Sequence, residues 1–119
     1  MSYIYIWDKY ELKNKSFKTP GILSKAGCQV SIITDAPVIP QQYLSLCAGL
    51  AVKSGMDAFE ALKAITIHPA KHLGIADRVG SIEVGKDGDF AISDGNIMDS
   101  ATEVNYTIVN GTVAFSQVD

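Results

Sequence analysis

The sequence has no concentrated patch of basic residues. Its formal net charge is -3, and its densest group of lysines, between Lys9 and Lys18, is mixed with Asp8 and Glu11. Binding to the phosphate backbone of a nucleic acid needs clustered Lys and Arg side chains. The charge pattern therefore argues against a nucleic-acid partner.

Cysteine is scarce and long apolar runs are absent. Cys28 and Cys47 are the only cysteines; they form no CxxC pair and lie among apolar residues, which predicts buried free thiols in a reducing compartment. The apolar start, residues 1–7, is too short for a signal peptide and lacks its basic residues. No apolar run approaches the ~20 residues of a membrane helix. These absences predict a cytoplasmic protein with no membrane partner.

The overall amino-acid composition is that of a folded globular protein. Hydrophobic residues make up 47% and charged residues 19% of the 119 residues. A chain of this size can bury roughly two-thirds of its unfolded surface, enough for one ordinary core.

The first two-thirds of the sequence predicts helices with two short strands. Residues 3–7 alternate aromatic and β-branched side chains, and residues 30–34 are a β-branched run without alternation, as in a parallel strand covered on both faces. Thr19 as a cap, Pro20 at the first position and Gly27 at the end predict one helix. Further helices are predicted over residues 40–54, 57–67 with Asp57 as cap, and 69–74.

From Val79 onward the pattern changes to short β runs separated by glycines. Residues 90–92, 104–109 and 112–115 are predicted strands, and Asn110-Gly111 is a strong hairpin signal because both residues tolerate positive φ. The run from Gly80 to Asp89 lacks the spacing of a phosphate-binding loop and predicts a pair of tight turns instead.

Asp35 is the main candidate for chemistry. It follows the predicted strand 30–34, and carboxylates at the C-terminal ends of barrel strands are common catalytic groups. The residues alone leave a second interpretation open, in which Asp35 only caps the turn before Pro37. His68 and His72, spaced i and i+4, could form a metal pair, but the glutamate of HExxH is absent and Pro69 follows His68 directly, which favours a structural role.

Taken in order, Asp35, His68-Pro69-Ala70, Leu73-Gly74 and the glycine-rich run 80–89 resemble the C-terminal end of a metal-dependent amidohydrolase, most of all the imidazolonepropionase-like branch. The resemblance implies an α/β fold: the last βα segments of a (β/α)8 barrel with flanking helices over residues 1–78, then part of a β-sandwich domain over residues 79–119. His68-Pro69-Ala70 would be a structural helix start.

The resemblance also implies a role for Asp35. In that family the last barrel strand ends in an aspartate that binds a divalent metal, usually zinc, and shuttles a proton to the leaving nitrogen. Ala36 stands where the family commonly has histidine, which puts a substrate contact there in doubt. The family's His-x-His motif, its bridging ligand and its later histidines have no counterpart in this sequence. Because a catalytic zinc needs three protein ligands, the chain alone is expected to be inactive.

Two interpretations of function follow. In the first, the chain is part of an enzyme that hydrolyses a non-peptide C–N bond in a small molecule, of the cyclic amide or amidine type, with the other metal ligands supplied by an N-terminal barrel portion. In the second, it is a non-catalytic remnant that self-associates or pairs with a separate N-terminal chain.

Overall fold

The structure is a computed structural model that describes residues 16–117. Four helices are followed by a three-stranded antiparallel sheet. The helices are α1 (Thr19–Lys25), α2 (Leu44–Lys53), α3 (Ala58–Ala64) and α4 (Ile67–His72), with a 3-10 turn at Gln41–Tyr43 before α2; the strands are β1 (Phe90–Ser93), β2 (Val104–Val109) and β3 (Thr112–Ser116). The predicted strand at residues 3–7 lies outside the described residues.

Glycine ends three of the four helices. Gly27, Gly55 and Gly74 have φ values of +88°, +102° and +71°. At the end of α4, Gly74 N donates to Lys71 O and Ile75 N donates to Ala70 O, at 3.1 and 2.9 Å. This pair of bonds is the Schellman motif, which satisfies the last carbonyls of the helix and needs a left-handed residue. The predicted helix ends at all three glycines are confirmed.

The helix starts differ more from the predictions. The Asp57 carboxylate accepts from Phe59 N and Glu60 N at 2.9 and 3.0 Å, so the predicted cap of α3 is confirmed. The predicted Thr19 cap is wrong by one residue, because the residue before α1 is Lys18 and no side chain caps it. The predicted helix 57–67 is broken into α3 and the start of α4 by a turn at residues 65–66.

The helical core is built from small side chains. Ala48, Ala51, Ala61 and Ala64 are buried with Met56 between α2 and α3. A Cβ at Gly21 of α1 would lie 3.1 Å from Met56 Cα, so α1 also approaches this core closely. The three helices pack near backbone contact because alanine and glycine keep them so close.

The predicted strand at residues 30–34 is not a strand in the structure. The segment is extended but pairs with no other strand among residues 16–117. Ile32 N donates instead to Ala64 O, at 2.9 Å. Thr34 is buried whereas Ile33 is 70% exposed. Within the described residues the segment thus has no strand to form a ladder with, and its backbone-to-backbone hydrogen bonds go to α3 and to the turn that follows it.

The sheet agrees with the sequence prediction. Its order is β1-β2-β3, with antiparallel pairing throughout. Asn110 and Gly111 connect β2 to β3 with φ values of +51° and +75°. Both central residues of the hairpin turn thus have positive φ, as a type I′ turn requires.

The run from Gly80 to Asp89 forms turns without a helix, as predicted, and a buried lysine joins them. Lys86 Nζ donates to Ala76 O and Ser81 Oγ at 2.6 and 2.5 Å. The hydrogen bond from Ser81 and the nearby Lys86 lower the pKa of the Glu83 carboxyl. These bonds connect the turn after α4 to the glycine-rich run through one cation.

The structure also tests the predictions of buried cysteines and of no membrane-spanning helix. The prediction that both cysteines are buried is wrong: Cys28 is exposed and Cys47 only half-buried. Cys28 directly follows Gly27, beyond the end of α1. Within residues 16–117, no helix is long and apolar enough to cross a membrane.

A matched pair of glycines tests how tightly the turns pack on α4. Gly80 and Gly85 have nearly equal φ values of +92° and +91°. A Cβ at Gly80 would lie 2.8 Å from Ala70 Cβ and 3.0 Å from Ile67 Cα, whereas one at Gly85 meets nothing within 4 Å. We expect Gly85→Ala to destabilise by ~1–2 kcal/mol from backbone strain, and Gly80→Ala by ~1–3 kcal/mol more from overpacking. Urea unfolding of both variants measures the difference; equal losses would contradict the close approach.

Candidate functional site

Asp35 lies at the end of the extended segment, where the chain turns sharply. Its φ is +53°, and Val38 N donates to Asp35 O at 2.9 Å to close a β-turn whose Ala36–Pro37 peptide is cis. Ile39 N also donates to Thr34 O, at 3.2 Å. The residue is exposed, and within residues 16–117 no hydrogen bond or ion pair reaches its side chain. The turn is closed by backbone bonds alone, so the carboxylate is not used as a turn cap.

His68 secures the beginning of the same segment. Its Nδ1 lies 3.1 Å from Val30 O, and only 6% of the residue is exposed. A carbonyl oxygen can only accept, so Nδ1 carries the proton and donates. Burial and this bond make His68 a structural residue that holds the extended segment against α4.

His72 contacts the next residue of the segment. Its Nδ1 lies 2.7 Å from Ser31 Oγ. The two histidines therefore both face the extended segment, each with its own partner, and do not converge on one point. This arrangement agrees with the structural interpretation of the i, i+4 pair.

The residues needed for a complete metal site are not found together. Within residues 16–117, no group of three His, Cys, Asp or Glu side chains could hold a metal ion. Catalytic zinc takes three protein ligands and keeps one open position. Asp35 fits one such ligand by its chemistry and exposure, but the described residues do not form a zinc site by themselves.

An apolar groove lies away from Asp35, between the helices and the sheet. Its volume is about 880 Å³, and α3, α4 and β1 contribute to its walls. Phe59, Leu73 and Ile82 line it and are 65%, 73% and 82% exposed. Sequence analysis missed this groove, because helical spacing shows which side chains are apolar but not which of them stay uncovered.

Sequence analysis also missed the contact between His72 and Ser31. The i, i+4 spacing of the histidines suggested that they act together, but their partners lie 38 and 41 positions away. Only the packing of α4 against the extended segment brings these residues into contact.

The role of His68 is testable by removing its donor. We expect His68→Leu to destabilise the protein by ~1–3 kcal/mol, since it leaves the buried Val30 carbonyl without a partner. Lys71→Leu, on an exposed position of the same helix, is the control and should change stability by less than ~0.5 kcal/mol. Thermal or urea unfolding measures the stability of both variants. An unchanged free energy of unfolding in His68→Leu would mean that the bond from His68 to Val30 O does not hold the segment.

Comparison with protein families gives a match that spans most of the chain. The model of the amidohydrolase family matches residues 12–114. An imidazolonepropionase from Thermoplasma acidophilum is 32% identical in an alignment of 114 positions that covers 89% of this chain and 28% of that enzyme. An adenine deaminase from Methanosphaera stadtmanae is 37% identical over 75 residues, 63% of this chain and 13% of that enzyme.

A solved structure shows the same relationship. An amidohydrolase from Thermotoga maritima superposes with a TM-score of 0.87 and 36% identity, over 92% of this chain and 28% of that one. The chain thus spans less than a third of the length of these relatives. With the fold, the family match and the sequence identity in agreement, the chain belongs to the amidohydrolase family.

Proposed function

We propose that the chain is the C-terminal portion of a metal-dependent amidohydrolase that hydrolyses a non-peptide C–N bond in a small molecule. The observation that carries the proposal is the position of Asp35: an exposed carboxylate with φ of +53° at the end of an extended segment that is held by the helices behind it. Non-glycine residues in this conformation cluster at functional sites. The match to the amidohydrolase family over residues 12–114 supports the class of reaction.

The extended segment is proposed to be the last strand of a barrel. Its inner contacts are made to α3 and α4, through Ala64 O and His68. Ile33 is 70% exposed, as expected of a strand residue whose neighbours belong to another part of the fold. On this proposal residues 1–78 belong to the barrel and residues 79–119 to the β-sandwich domain. The superposition on the Thermotoga maritima enzyme over 92% of the chain supports this assignment.

Asp35 is proposed to act twice in the reaction. It would supply one oxygen ligand to a divalent metal, zinc by preference, and the remaining ligands would come from outside the described residues. The metal, when bound, supplies a Lewis acid for the scissile group. As water attacks the carbon of the scissile bond and the new C–O bond forms, the Asp35 carboxylate would accept a proton from that water; as the C–N bond breaks, the carboxyl group would return the proton to the leaving nitrogen. Within residues 16–117 no side-chain hydrogen bond or ion pair of Asp35 competes with this role.

The substrate class follows from the relatives. Those described above are named imidazolonepropionase and adenine deaminase. We propose a small nitrogen-containing ring, of the cyclic amide or amidine type, as the substrate of the complete enzyme.

A second candidate is a non-catalytic remnant that self-associates or pairs with a separate N-terminal chain. The exposed apolar groove favours it, because uncovered apolar surfaces of this kind usually mark an interface. The same surface is also expected to be covered in a complete enzyme, by the part of the fold that this chain does not span.

The isolated chain tests whether residues 1–119 are sufficient for zinc binding and hydrolase activity. We expect purified residues 1–119 to bind much less than one zinc per chain and to show no hydrolase activity, because one carboxylate cannot replace three ligands. Metal analysis after dialysis against zinc measures the stoichiometry, with an amidase assay on cyclic amides alongside. One tightly bound zinc with turnover would contradict the need for other segments.

The role of Asp35 is tested in a hybrid enzyme, in which this chain replaces the matching part of the Thermotoga maritima amidohydrolase. We expect Asp35→Asn to lower kcat on that enzyme's substrate by ~100- to 10,000-fold, the usual range for loss of a general acid–base group, and to reduce the bound metal. Asp77→Asn, at an exposed turn position, is the matched control and should leave both unchanged. Full activity of Asp35→Asn would overturn the proposal.

A further inference from the structure

The hydrogen bond between His72 and Ser31 connects the last residue of α4 to the segment that leads to Asp35. Nδ1 of His72 lies 2.7 Å from Ser31 Oγ, and 41 positions separate the two residues. We propose that His72 and Ser31 are positioning residues, which set the place of the Asp35 carboxylate through this bond. The proposal rests on the function assigned to Asp35 above.

The geometry makes His72 a fixed reference point. It is the final residue of α4, and the two hydrogen bonds around Gly74 hold that helix end in place. On the other side, Ser31 is four residues before Asp35. Four residues span at most ~13–14 Å, and Ile32 N and Thr34 O of this stretch are themselves hydrogen-bonded, so a shift at Ser31 is expected to move Asp35 as well.

The hydrogen bonds of Val30 and Ile32 differ from the Ser31–His72 bond in burial and in the atoms that they use. His68 donates to Val30 O, and Ala64 O accepts from Ile32 N; the first of these bonds is partly buried and the second uses only backbone atoms. The bond between Ser31 and His72 lies at the surface, so its net contribution to stability is small. It is, however, the side-chain hydrogen bond closest in sequence to Asp35 on its N-terminal side. Its effect is therefore expected on position more than on folding.

The chemistry of the pair makes the contact robust. A serine hydroxyl can donate to an unprotonated ring nitrogen or accept from a protonated one. The bond is kept whichever ring nitrogen of His72 carries the proton. A lysine or a carboxylate in place of His72 would lack one of these two states.

The first test uses residues 1–119 and needs no enzyme activity. Amide exchange of Ile32, whose N–H donates to Ala64 O, reports how firmly the segment is held. We expect Ser31→Ala and His72→Phe each to speed this exchange by about threefold, near the lower end of the effect of one net hydrogen bond, and the double variant to be no faster than either alone. Unchanged exchange in both single variants, or additive effects, would overturn the proposal.

The second test uses the hybrid enzyme and separates position from folding. We expect His72→Phe to lower kcat about tenfold with KM little changed, within the ~100-fold that a 1 Å misplacement can cause. His72→Asn should restore most of the rate, because its side-chain amide has a polar atom at the same distance along the chain as Nδ1. Lys71→Ala, the exposed neighbour in α4, is the control for the helix end and should leave kcat unchanged.

The outcomes distinguish this inference from the function on which it rests. If Asp35→Asn keeps full activity, the proposed function of Asp35 fails. If Asp35→Asn is inactive while His72→Phe keeps the kcat of the unaltered hybrid, only the positioning role fails. A loss of kcat in His72→Phe that His72→Asn does not recover would also count against the hydrogen bond.

Discussion

The structure depends on the hydrogen-bond partners of one extended segment, residues 30–34. Residues 30–34 form neither a helix nor a turn, and no strand among the described residues pairs with them. Three bonds, to Ala64, His68 and His72, hold the segment on its helical side. Backbone groups away from water need partners, so the remaining ones are satisfied by solvent or by further strands. This requirement connects the packing of the helices, the exposure of Asp35 and the need for more of the fold.

The parts of the fold that local chemistry determines could be predicted from the sequence. Gly27, Gly55 and Gly74 end helices because they reach positive φ without strain, and Asn110-Gly111 closes the hairpin for the same reason. Asp57 was recognisable as a cap because its carboxylate reaches N–H groups only two and three residues away. Each of these signals acts within a few residues, so one sequence is enough to read it.

The parts that depend on distant partners could not be predicted. A β-branched run such as residues 30–34 favours a strand, but pairing requires neighbours that the run itself does not specify. The exposure of Cys28 depends on which side of α1 is left uncovered, and the contact of Ser31 with His72 depends on the packing of α4. For Asp35 itself, composition and spacing left two roles open. Within the described residues the Asp35 carboxylate makes no turn-capping bond, and its chemical role is a proposal.

The alanine core has a consequence for the entropy of folding. Ala48, Ala51, Ala61 and Ala64 have no side-chain rotamers to lose when they are buried, whereas each leucine or isoleucine would lose ~0.5–1 kcal/mol of that freedom. The hydrophobic free energy gained by burying each alanine is also small, because little apolar area is removed from water when one methyl group is buried. Ordering the helical layer thus costs little side-chain entropy, but the burial of its alanine side chains contributes little hydrophobic stabilisation.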